Sequence, residues 1–85
     1  MSSKYINTEW FKLRQRLIGK DADENYLHYF QDQNEEYVEL CENGGDYSRV
    51  NMATFKALEK RKLLKLVASH TTIQPDTWSY QYTVV

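Results

Sequence analysis

Along a helix expected over about residues 51–62 the chain sets Thr54, Lys56, Lys60, Arg61 and Lys62, together with Ala53 and Ala57. A helix entering a DNA major groove needs such a face: small residues admit a close approach, and long cations reach phosphates or guanine edges. On that chemistry Thr54 and Arg61 are the candidates for base edges, and Lys56, Lys60 and Lys62 for phosphates. The competing reading packs the alanines against another element and leaves the cations as an ordinary solvated face.

A second group of reactive types is His28, Glu39 and Cys41. A cysteine beside a histidine, with a carboxylate near, is how a thiolate nucleophile is activated. In the strand register derived below, His28 and Cys41 are diagonal neighbours roughly 7–8 Å apart, and no oxyanion donors can be inferred. No catalytic residue and no enzymatic activity is therefore expected, and Cys41 reads as a small, half-buried residue. Cys41, His28 and His70 form no close-spaced pair of the kind that structural zinc needs, so no metal or other cofactor is expected. Gly44-Gly45 lacks the further glycines and the lysine of a phosphate loop and reads as a turn into the central helix.

The elements that must position these residues follow from spacing. Asn51 suits the N-cap of the central helix, which meets no Gly or Pro and puts Met52, Phe55 and Leu58 on one side. A first helix is expected from Asn7, after a loose N-terminus over residues 1–5. Ile6 and Phe11 are placed there for a hydrophobic staple, Trp10, Leu13 and Leu17 recur at helical spacing, and Gly19 suits the left-handed stop. Lys12, Arg14, Gln15 and Arg16 lie on the other side as a wet helix face, with phosphate contact as the functional alternative. Asp21 to Asn25 is a linker turn.

Residues 26–42 admit two readings, since their apolar positions also recur at helical spacing. Two short aromatic-rich runs separated by DQNE favour a hairpin. With Gln31 facing Glu36, Leu27 falls opposite Leu40 and Tyr29 opposite Val38, which makes one face apolar. Beyond Leu64 the chain alternates through Leu66, Ala68 and His70 and turns near Gln74-Pro75-Asp76-Thr77. It returns with Trp78, Tyr80, Tyr82 and Val84 on one face.

The run TFKALEKRKLLKLV, followed by a hairpin, resembles the end of winged helix-turn-helix domains, where a helix of the form T-x-x-A-L-x-x-R-x-L-(L/I) runs into a wing. The matching residues are Thr54, Ala57, Leu58, Arg61, Leu63 and Leu64, with Tyr80 and Tyr82 at the returning strand. The resemblance covers about the last 40 residues, departs from the pattern where Lys62 replaces the usual helix-ending glycine, and lacks a clear upstream helix pair. It implies a DNA-contacting helix with Lys65 and His70 on a wing beside the duplex, although the same fold is widely used to bind protein.

At 85 residues the chain suits one small domain, 1–85, with a single modest core. The fold class expected is α+β, in the order helix, hairpin, helix, hairpin, winged-helix-like. Net charge is −1, which argues against strong non-specific nucleic-acid binding. Its distribution is uneven: residues 21–46 hold nine acids and no Lys or Arg, whereas both flanking segments are basic. A single cysteine fits a reducing compartment, and no apolar run approaches a membrane span, so a soluble cytoplasmic protein is expected. Two partner classes follow: double-stranded DNA on the central helix, or a basic protein docked on the acidic, tyrosine-rich segment 21–46 of a non-enzymatic interaction module or inhibitor. Oligomeric state is left open.

Overall fold

The computed structural model describes residues 3–71 and 77–85. Two helices and five strands follow in the order α1 (Ser3–Leu17), β1 (Tyr26–Gln31), β2 (Glu36–Glu42), β3 (Asp46–Val50), α2 (Met52–Lys60), β4 (Leu64–Thr71) and β5 (Trp78–Val84). The strands form one antiparallel sheet in the order β3-β2-β1-β5-β4, so β1 is central and the two hairpins are joined through β1 and β5. The domain is thus α+β, and the turn expected near Gln74–Asp76 lies outside the described residues.

Helix α1 begins at Ser3, four residues before the expected Asn7, so residues 3–5 belong to it rather than to a loose end. Thr8 Oγ1 donates to the Lys4 carbonyl at 3.0 Å, a bond made from inside a helix. The earlier start turns Ile6 fully into the core with Leu13 and Leu17. It also removes the staple, because Phe11 stands 56% exposed on the far side. Gly19 takes φ 76 and ends the helix as its position suggests.

Strands β1 and β2 pair with Gln31 opposite Glu36, Tyr29 opposite Val38 and Leu27 opposite Leu40, the register that alternation implies. Asp32 turns the hairpin by accepting from the amides of Asn34 and Glu35 at 2.7 and 2.8 Å. The Gly-Gly segment does not lead directly into α2. Asn43 and Gly44 both have positive φ, 55 and 74, and the Gly45 amide donates to the Glu42 carbonyl at 3.2 Å. Positive φ at both central residues is what a type I′ hairpin turn requires, and it sends the chain back along β2 as the additional strand β3.

Asn51 caps α2 as expected, its Oδ1 accepting from the Ala53 amide at 2.8 Å. At the other end the Leu63 amide donates to the Leu58 carbonyl at 3.0 Å and the Lys62 amide to the Glu59 carbonyl at 3.0 Å, the paired bonds of a Schellman motif. Lys62 fills its left-handed position at φ 59, where glycine is usual. Lys62→Gly is therefore expected to stabilise the domain by about 0.5–1 kcal/mol, relief of left-handed strain exceeding the added freedom of the unfolded chain. A rise in thermal midpoint would show it; a fall would mean that the lysine side chain contributes more than its backbone strain removes.

Both helices pack on the face carrying Leu27, Val38, Leu40 and Val84, and with Ile6, Leu13, Leu17, Phe55 and Leu58 these form one core. A β-bulge between Leu66 and Ala68 shifts the β4 register, so Leu66 pairs with Tyr82 but Ala68 with Gln81. The alternation expected through Leu66 and Ala68 is broken there, and the two side chains lie on opposite faces.

Candidate functional site

A groove of about 440 Å³ opens between α2 and the middle of the sheet. Its floor is built by cross-strand pairs between β1 and β5: Tyr29 with Tyr80 and Gln31 with Trp78, next to Leu27 with Tyr82. Phe55 closes it from α2, stacked on Tyr29 with ring centroids 5.4 Å apart and edge-on to Tyr82 at 5.4 Å. Tyr80 stands 6.1 Å from Tyr29 and 6.4 Å from Tyr82, completing a circuit of four rings. Trp78 forms the outer wall and is 39% exposed, a large aromatic left at the mouth.

Charge is organised around those rings. The Tyr29 hydroxyl donates to the Glu36 carboxylate and stands 3.0 Å from the Gln31 amide oxygen, and Lys56 Nζ lies 3.5 Å from the other Glu36 oxygen. This chain ties β1, β2 and α2 together along one wall. Glu59, one turn on from Lys56, lines the same groove and makes no ion pair among the described residues. The Tyr29 hydrogen bond, reinforced by Lys56, holds the Glu36 carboxyl below its ordinary range. Burial above all, then the Glu36 hydrogen bond and the negative charges of Glu36 and Glu59, pushes the Tyr29 phenol up. Tyr82 is raised in the same direction, by burial first and Glu59 next.

Those raised phenols favour the folded state while they are protonated. Their contribution is complete below the ordinary tyrosine range, about pH 10, and is lost as pH rises through the folded values. Alkaline unfolding is expected to begin above about pH 10, with tyrosinate absorbance and loss of circular dichroism rising together. Tyrosine ionisation that runs to completion with the fold intact would contradict this.

The five residues proposed for DNA contact do not form one accessible face. Thr54 is only 3% exposed, so it is withdrawn from the base-edge set. The reason is that α1 packs beside α2 and widens the buried arc beyond the Met52, Phe55 and Leu58 stripe. Lys56 is engaged with Glu36. Arg61 is the C-cap, its Nη1 donating to the Ala57 carbonyl at 3.5 Å, and Lys62 holds the helix-ending turn. Lys60, Arg61 and Lys62 are nevertheless exposed and close together at the end of α2. Three cations of α1 are also engaged: Lys12 with Glu9 at 3.6 Å, Arg16 with Glu42 at 3.5 Å, and Arg14 over the Trp10 ring at 5.0 Å.

The thiol and the imidazole each meet a different partner. Cys41 is fully buried with its Sγ 3.7 Å from the Glu24 carbonyl, while His28 Nε2 lies 2.7 Å from Ser79 Oγ. Cys41 is thus buried more deeply than expected. The acids of segment 21–46 are partly structural, Asp21 and Asp32 bonding the amides of their own turns.

The groove residues Gln31, Phe55, Glu59 and Trp78 were not singled out as a site by sequence reasoning. The common face of Trp78, Tyr80 and Tyr82 was legible; that β1 would be their neighbour was not. Neither a protein-family model, nor a curated protein, nor a solved structure matches the chain. Among the described residues no helix is long and apolar enough to cross a membrane.

Proposed function

We propose that this chain is a non-enzymatic, cytosolic interaction module that docks a basic protein partner in the groove between α2 and the sheet. The observation that carries the reading is the groove itself: aromatic rings with the Glu59 carboxylate among them and a tryptophan exposed at its mouth. Tyr and Trp anchors surrounded by polar groups are the composition of interface hot spots. The acidic, tyrosine-rich segment 21–46 supplies Tyr29 and Gln31 to it, with Glu36 bonded to the Tyr29 hydroxyl and to Lys56 beside it.

The test is retention of a randomised pool of short basic peptides, against an acidic pool, on the immobilised protein. Basic peptides held by the native chain and lost from Tyr80→Ala are the expected result; equal retention of both pools, or retention unchanged by that substitution, would sink the reading.

Duplex DNA is the second reading, favoured by the exposed Lys60, Arg61 and Lys62 at the end of α2 and by the helix-to-hairpin succession of winged domains. Lys56→Ala separates the two. It removes a phosphate contact in the DNA reading and so weakens binding to mixed duplex DNA with a shallower salt dependence. In the protein reading it removes a cation from the groove and so strengthens binding of basic peptides.

A further inference from the structure

We infer that the groove takes the side chain of an arginine of the partner, with its guanidinium flat against Trp78 and Tyr80 and paired to Glu59. This rests on the reading of the groove as an interaction site and names what enters it.

Three observations lead to arginine rather than to another cation. First, the groove has one negative charge to spare. Glu36 is already met by the Tyr29 hydroxyl and by Lys56 at 3.5 Å, whereas Glu59 faces the same space with no ion pair among the described residues. A carboxylate next to aromatic faces is matched by a cation that can address both at once.

Second, the rings are packed on one another. Centroids 5.4–6.4 Å apart around Tyr29, Phe55, Tyr82 and Tyr80 leave no slot between rings into which a methylated ammonium could insert. What the three tyrosines offer, over the buried Phe55, is one aromatic surface, with Trp78 lining the same groove. A planar group can lie along that surface, and a compact ammonium gains less from it. Guanidinium is planar, weakly hydrated and forked toward a carboxylate, whereas the lysine ammonium is a strongly hydrated point charge.

Third, the chain itself makes this contact twice outside the groove. Arg49 lies over the Tyr37 ring at 4.3 Å and Arg14 over Trp10 at 5.0 Å. Those two rings are thereby occupied from within. Lys56, the cation the chain places at the groove, goes instead to Glu36 and leaves the ring surface to an incoming group.

The experiment uses the whole chain, isotope-labelled, titrated with a short Gly/Ser peptide bearing a single arginine. Matched peptides carry lysine, trimethyl-lysine or citrulline at that position. The two indole N–H signals of Trp78 and Trp10 report the site and an internal control. Arginine is expected to shift the Trp78 signal and leave that of Trp10 in place, and to bind roughly two- to fivefold tighter than lysine, the size of an exposed cation–π contact. Citrulline, planar but neutral, is expected to bind more weakly than arginine. Glu59→Gln should bring arginine down toward citrulline, with the remaining spectrum showing an unchanged fold.

Lysine equal to arginine, trimethyl-lysine tighter than arginine, or arginine binding that survives Glu59→Gln would each overturn the arginine assignment. Each would leave the interaction reading standing, because a cation would still have moved Trp78. No shift of Trp78 with any cationic peptide would overturn the assignment, and together with failure of the basic peptide pool it would remove the interaction reading as well.

Discussion

Phe55→Ala is expected to destabilise the domain by about 3–5 kcal/mol, the range for truncating a buried aromatic ring. The ring is 2% exposed, stacks on Tyr29, meets Tyr82 edge-on and sits in the core with Leu58. Total stability for a domain of this size is about 5–15 kcal/mol, so the loss would be a large share of it. Denaturant titration should show a much lower midpoint, while Phe55→Leu, which fills most of the volume, should lose considerably less. A change under about 1 kcal/mol would place the ring outside the core and detach α2 from the floor of the groove.

Trp78→Ala is the complementary case, with a large effect on binding and a small one on folding. Its side chain stands at the mouth of the groove, 39% exposed. Truncating an aromatic anchor of this kind is expected to weaken binding of the basic peptide pool about tenfold or more. Stability should fall by no more than about 1 kcal/mol, because the contacts of Phe55 with Tyr29 and Tyr82 remain. Binding retained within about twofold would exclude the groove as the interface, whatever else the surface does.

Local structure was legible wherever the residues concerned were close in sequence and one face was buried. The β1–β2 register followed from alternation, because slipping it by one residue would turn either Leu27 and Tyr29 or Val38 and Leu40 away from the shared apolar face. Asn51 as a cap followed from its type and place. Lys62 marked the end of α2 even without glycine, since the Schellman bonds and the apolar Leu63 beyond it secure the turn.

Strand β3 is not legible in the sequence because Asp46, Tyr47, Ser48 and Arg49 are all exposed, so DYSRV has no apolar period to read. The Asn43-Gly44 pair was the available signal, being the favoured centre of a type I′ turn. The start of α1 was misplaced because Asn7 suits an N-cap by type, and only the burial of Ile6 against the sheet shows that the helix begins earlier.

The candidate site divides in the same way. Its ingredients were fixed by the sequence alone: the aromatic face of β5, the acidity of segment 21–46 and the cations of α2 all follow from residue type and local period. Which of them meet was decided only by tertiary structure. The pairing of β5 with β1 sets Tyr29 against Tyr80 and Gln31 against Trp78 across roughly 50 residues of chain, and the packing of α1 beside α2 takes Thr54 out of reach. Local period reports which side of an element is apolar; it carries no information about which distant element will cover that side.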